Sequence, residues 1–218
     1  MLFRSVHTTR TSVVCTRVYR AAEGLGPVVH TTTIGRSAEG LHLREHVEIP
    51  DGVDDVPRVG VELRLAPGFE ALEWFGRGPH ECYPDRARGA LLARHVSTVS
   101  DQYVPYVMPQ EHGLHVDTRW VTVGNPGLGV TVGAAFARPG AFSASHFTAG
   151  DLTAATHDVD LVPRAETVLH LDHRHRGLGT LSCGPDTLAQ YRIGAGTYKW
   201  NWSLQLLRSP GGRATRRG

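Results

Sequence analysis

Leu72-Glu73-Trp74-Phe75-Gly76-Arg77-Gly78-Pro79-His80-Glu81-Cys82-Tyr83-Pro84-Asp85-Arg86 is the densest stretch of information in the chain. Aromatic residues, turn-formers and charges alternate in it without the period of 2 that marks a strand or the 3.6 that marks a helix. Such a mixture specifies individual contacts rather than a buried face. Two shorter stretches of the same character follow, Ser100-Asp101-Gln102-Tyr103-Val104-Pro105-Tyr106-Val107 and Pro109-Gln110-Glu111-His112-Gly113.

Outward from these blocks the chain reads as strands. At Leu41, Leu43, Val47 and Ile49 apolar residues share one parity, opposite His42, Arg44, His46 and Glu48, which is the alternation of a half-buried strand. Glu45 interrupts the apolar row. Asp51-Gly52 supplies a turn, and Val59, Val61, Leu63 and Leu65 alternate with Gly60, Glu62 and Arg64. The spacing predicts that 41–49 and 59–65 pair as antiparallel neighbours. Further strands are predicted at 13–19, 120–123, 129–136, 166–172 and 198–206; in the last, Tyr198, Trp200, Trp202, Leu204 and Leu206 form the core-facing row. A short helix is predicted at 149–157, with Thr148 and Asp151 as its capping box. With 25 Gly and 13 Pro punctuating short strands, the fold class is all-β: one large antiparallel β-sandwich over 13–208. Residues 1–12 read as an irregular leader, and 209–218, with a single alanine as the apolar content, as a disordered tail.

Charge is nearly balanced, 23 Lys+Arg against 21 Asp+Glu, so no long-range field points to nucleic acid or an anionic membrane. No stretch offers the roughly 18 apolar residues of a membrane span, and no secretory h-region is visible, so a cytoplasmic protein is expected. The first 22 residues carry Arg4, Arg10, Arg17 and Arg20 and no acid, a composition shared with organelle transit peptides; a start inside a longer gene is the alternative, since 13–19 already reads as strand. Cys15, Cys82 and Cys183 are spaced as reduced thiols, not as a disulfide framework or zinc site.

The three blocks, in this order, resemble the C-terminal β-sandwich (small chain, domain 5) of the family 2 β-galactosidases, whose signature W-x-G-x-G-P-x-E-N-Y-x-D-R is matched by Trp74, Gly76, Gly78, Pro79, Glu81, Tyr83, Asp85 and Arg86, with Cys82 where the family has Asn. The resemblance runs over about 13–206 and implies a supersandwich of the galactose mutarotase-like type. It implies as well that the sandwich is incomplete at its N-terminal edge, because the family's R-A-P-T-D-N-D segment has no counterpart, and that an isolated chain is sticky at the exposed edge. By the same resemblance, the domain supports a catalytic (β/α)8 barrel or large chain that hydrolyses terminal β-D-galactosyl residues of a galactoside substrate. The barrel holds both catalytic glutamates and the magnesium and sodium ions, and the intact enzyme is expected to be an oligomer. A non-catalytic carbohydrate-binding or subunit-assembly module is the alternative; an aldose mutarotase ranks last, for want of an H-x-Y-F-N-L segment.

Within the chain, Ser182, Cys183, Gly184 and Pro185 match the family loop S-W-x-P that leans over the substrate mouth on the aglycone side. Cys183 in place of Trp would open a roomier, less adhesive subsite, and a buried structural thiol is the competing reading. Glu81 and Asp85 are the best local carboxylate pair, and a retaining glycosidase needs two carboxyl groups roughly 5 Å apart. Their arginine neighbours favour ion pairs and caps instead, and no catalytic residue is assigned. Glu111 and His112 read as polar residues bonding a buried loop, and loss of the motif Asn at Cys82 predicts a looser turn. His170, His173 and His175 invite a metal, yet alternation sets His173 and His175 on one face and His170 on the other, so no metal site is assigned.

Overall fold

The computed structural model describes residues 3–20, 23–180 and 183–208. Eleven strands form one antiparallel, branched sheet: β1 (Phe3–Thr8), β2 (Ser12–Tyr19), β3 (Val28–Ser37), β4 (Gly40–Ile49), β5 (Arg58–Leu65), β6 (Ala71–Gly78), β7 (Leu91–Thr98), β8 (His115–Asn125), β9 (Val130–Ser145), β10 (Thr167–His175) and β11 (Gly196–Arg208). The main run is ordered β1-β2-β3-β4-β11-β9-β8-β6-β7, and the pair β10-β5 branches from β9. The sheet is open, with β1 and β7 as the edges of the main run and β5 as the edge of the branch.

β9 makes the branch. Its first half, from Val130 to Phe136, pairs with β11, and its second half, from Ala141 to Ser145, pairs with β10. Between them lies Ala137-Arg138-Pro139-Gly140, where Pro139 has no N–H to give to a ladder. The two branches bury one core: Leu43 and Val47 of β4, Trp200 and Trp202 of β11, Leu72 and Trp74 of β6, Val121 and Val123 of β8, Phe142 of β9, and Leu169 and Leu171 of β10 belong to a single cluster. A smaller cluster of Cys82, Tyr83, Leu114, Val116 and Ala141 lies under the motif.

The alternation in β4 is as expected, and Glu45 follows it inward. Its carboxylate is buried and accepts from Thr32 Oγ1 (2.6 Å) and Trp202 Nε1 (3.0 Å), with His30 Nε2 at 2.8 Å. Burial pushes the Glu45 carboxyl up; hydrogen bonds from His30, Thr32 and Trp202 outweigh it and leave the group below its ordinary value. Trp200 and Trp202 are core residues, whereas Leu206 of the same row is exposed, where β11 runs past the cover of the second branch. Helix α1 spans Ala149–Ala154, shorter than expected, and Thr148 and Asp151 form its capping box.

Three expectations are corrected. Strands β4 and β5 are not neighbours: β4 lies between β3 and β11, and β5 pairs only with β10. The Asp51-Gly52 turn forms, but the link 50–57 closes no hairpin, because Val53 and Val56 pack on the core and bond Ala195 and Ile193 through the backbone, which carries the chain across to the other branch. The leader 1–12 contains β1, a strand hydrogen-bonded to β2 throughout. The run Val28-Val29-His30-Thr31-Thr32-Thr33-Ile34, rich in β-branched residues, is β3, a strand whose composition was legible and whose alternation was not. The tail 209–218 lies outside the described residues.

Candidate functional site: a motif that clasps a surface loop

The three sequence blocks meet in space. Trp74, completely buried on β6, donates its Nε1–H to Arg77 O (3.1 Å) and packs at a tilt on His115, with ring centroids 4.4 Å apart. His115 Nδ1 donates to the same Arg77 carbonyl (3.1 Å), and its Nε2 lies 2.6 Å from the Gln102 side-chain amide, tying the first block to the second. Burial lowers the His115 pKa to about 4, so the ring is a neutral packing element at ordinary pH. Gly76 and Gly78 lie under this pair, where a Cβ on Gly78 would press on Trp74 and His95.

Glu81 joins all three blocks. Its carboxylate accepts from Arg86 of the first block, the Tyr106 hydroxyl of the second and, at 2.8 Å, Gly113 N of the third. Tyr83 is buried beside it in the smaller cluster, 5.4 Å from the His175 ring, and burial holds its phenol far above the usual range. Cys82 packs into the same cluster, and its N–H donates to Leu114 O at 2.7 Å. The turn at this residue keeps that backbone bond, and burial of the thiol raises its pKa.

Asp85 faces the other way. It accepts from Leu178 N (3.2 Å), Gly179 N (2.8 Å) and Thr187 Oγ1 (3.2 Å), so one carboxylate grips both ends of the loop 177–187. Gly179 has φ +67°, and a Cβ there would collide with the backbone of Thr187, which fixes glycine at the crossing of the loop's two arms. Arg176 and Arg192 close the base from outside through Asp186 (2.9 and 3.2 Å). Within the loop, Cys183 N and Gly184 N both donate to Thr180 O, leaving Cys183, Gly184 and Pro185 exposed at the tip. Ser182 lies outside the described residues. No disulfide joins the three cysteines.

Glu81 and Asp85 thus point into different loops, each saturated by donors, and form no facing carboxylate pair. Glu111 accepts from Arg58 Nη2 (2.6 Å), and His112 Nδ1 donates to Gln110 O (3.0 Å) while its ring packs on Tyr103 and Phe147. Sequence reasoning passed over Arg58 and Asp172, which with Glu111, His170 and His175 form a partly buried polar cluster. Arg58 donates to His170 Nδ1 and lies 3.8 Å from the Asp172 carboxylate, which is completely buried without a hydrogen bond. Burial, opposed by Arg58 and reinforced by Glu111, raises the Asp172 pKa to about 7.

The face assignment of the histidines is corrected here. Asp172 pairs with Gly60 and Arg174 with Val59, so His173 is the extra residue of a β-bulge. One inserted residue flips the parity beyond it: His170 and His175 both flank Arg58, and His173 turns to stack on Trp200 (5.3 Å, interplanar angle 1°). Among the described residues no group of three or more His, Cys, Asp or Glu side chains converges as a metal site.

A family model described as beta galactosidase small chain matches residues 3–205. The chain belongs to that family. Among curated relatives it is 36% identical over 163 residues to the beta-galactosidase of Arthrobacter sp. (strain B7), covering 72% of this chain and 16% of the relative. It is 32% identical over 187 residues to that of Vibrio vulnificus (strain CMCP6), covering 84% and 17%, and 35% identical over 150 residues to that of Kluyveromyces lactis, covering 69% and 14%. The small chain thus spans about a sixth of the length of these relatives. Among solved structures, a galactose mutarotase-like protein from Lactobacillus casei shares the fold, with a TM-score of 0.50 and 12% identity over 94% of this chain and 73% of that one. No helix among the described residues is long and apolar enough to cross a membrane.

Proposed function

We propose that this chain is the small-chain domain of a cytoplasmic β-galactosidase, which braces the catalytic barrel and lends the loop around 182–185 to the aglycone side of the galactoside site. The observation that carries this reading is the Asp85 clasp: a signature residue of the family holds both arms of the loop while its tip, Cys183 to Pro185, stands exposed. A loop fixed at its base and exposed at its tip is suited to meet another surface. The carboxylates that cut the glycosidic bond, and the magnesium and sodium ions, are assigned to the catalytic polypeptide, and the intact enzyme to an oligomer.

The test is reconstitution. The 218-residue chain alone is expected to release no galactose from a chromogenic β-galactoside, and to restore activity to a β-galactosidase polypeptide lacking its own C-terminal sandwich. In the reconstituted enzyme Cys183→Trp is expected to lower KM for aromatic aglycones by about threefold to tenfold, the worth of one ring stacking contact at roughly 0.5–1.5 kcal/mol. Hydrolysis by the chain alone, or reconstitution that is indifferent to deletion of 180–186, would overturn the proposal.

A further inference from the structure

A crevice opens where β9 passes from one partner to the other. Pairing with β11 ends at Phe136 and pairing with β10 begins at Ala141, so the end of β10 and the start of β11 diverge with no strand between them. Two adjoining depressions of about 600 and 360 Å³ occupy the gap, sharing Gly140 and His173. The larger lies within the roughly 300–1,000 Å³ of small-molecule sites.

The lining of this crevice is cationic and aromatic. Arg174 and Arg192 line the larger depression, and Arg138 and Lys199 the smaller. Arg192 is engaged by Asp186 and the Thr187 carbonyl, whereas Arg138, Arg174 and Lys199 are exposed and make no ion pair or hydrogen bond with the described residues. The single acid of the lining, Asp117, is held by Arg77 Nε at 2.5 Å. Three unpaired cations beside two adjoining depressions make a local field that favours an anion. Tyr191 and Tyr198 also line the larger depression, and Tyr198 is fixed by its hydroxyl donating to Gly194 O (2.8 Å). At the junction His173 lies flat on Trp200, and burial and Arg174 both push its pKa below the ordinary imidazole value. Gln190 and Asn201 supply amide donors and acceptors at the rim.

We propose that this crevice binds a sugar-sized anion, a monosaccharide unit bearing a carboxylate or a phosphate. The tyrosine rings receive a pyranose C–H face, and Arg174 with Arg138 or Lys199 receives the anionic group, by the fork geometry that guanidinium offers to carboxylate and phosphate oxygens. The inference is independent of the proposed role of the 182–185 loop.

Titration of the 218-residue chain, followed by backbone amide shifts and calorimetry, tests it with four probes: D-galacturonate, D-galactose 6-phosphate, inorganic phosphate and neutral D-galactose. At least one of the two anionic sugars is expected to bind about tenfold or more tightly than galactose, with shifts at Gly140, His173 and Tyr191, and with affinity falling as salt is raised from about 50 to 300 mM. Comparison of galacturonate with galactose 6-phosphate identifies the anionic group. Arg174→Gln with Lys199→Gln, both at exposed positions, is expected to weaken that binding by about tenfold or more while leaving the thermal midpoint in place. The proposal is overturned if neutral galactose binds as well as the anionic sugars, if inorganic phosphate alone matches galactose 6-phosphate, if no probe shifts the crevice amides, or if the double variant binds unchanged.

Discussion

Asp85 shows how far one carboxylate can organise a site. Two backbone N–H groups and a hydroxyl converge on it from opposite arms of one loop, so removing it strands donors that water reaches poorly. Asp85→Ala is expected to destabilise the chain by about 1–3 kcal/mol and to raise hydrogen exchange at 177–187 well before the rest of the sheet. Asp172 makes the opposite kind of prediction. Its folded pKa of about 7 lies above the ordinary value of 3.8, so between those values the folded state holds a proton that the unfolded chain has released. Its contribution to stability is present in full below pH 4 and is lost as pH rises through 7. Urea unfolding of the parent chain is therefore expected to show a loss on the order of a few kcal/mol from pH 4.5 to 7.5 in this contribution, and Asp172→Asn is expected to flatten that slope. An unchanged slope in the variant would remove Asp172 as its source. Neither role could be read from sequence: Asp85 belongs to a legible motif, but its partners lie about a hundred residues away, and Asp172 looks like any polar residue of an alternating strand until the bulge beside it is known.

Strands were legible where alternation was clean. In β4, β5 and β11 the apolar parity found the element and, for Trp200 and Trp202, the buried face. Alternation failed where an element's environment changes along its length. β6 reads as aromatics and glycines because its inner face holds the Trp74–His115 pair, and β9 carries two patterns because one of its edges passes from β11 to β10 while the other stays on β8. The bulge in β10 is invisible to a period of 2, since it consists in breaking one. The ladder is tight beside it: Gly60 stands opposite Asp172, where a Cβ would collide with the carboxylate and with Leu171 O. Gly60→Ala is expected to force β5 away from β10 and cost about 1–3 kcal/mol or more, the usual range for overpacking a filled site. A melting temperature within a degree of the parent would show that the ladder accommodates a methyl group there.

Across the whole molecule, the family motif made the fold class and the kinship readable, because its blocks are contact-specific rather than periodic. Strand neighbours were not readable: the order places β4 beside β11 and β5 beside β10, pairings that depend on the path of the 50–57 link and on no pattern within the strands themselves. The edges of the sheet carry the final prediction. β7 pairs only with β6 and exposes Leu91, Leu92 and Val96, the last 73% accessible. An edge strand with unpaired backbone groups and apolar side chains is a template for association. At high concentration the isolated chain is expected to bind an apolar dye and to self-associate, and Val96→Lys is expected to reduce both, as read by light scattering and dye fluorescence.

The divided allegiance of β9 also governs how the molecule comes apart. A strand that is the shared seam of two ladders cannot release one without slackening the other, so amides on either side of Pro139 should open together, in the slowest-exchanging class, and the two branches should melt as a single cooperative unit rather than peel away in turn.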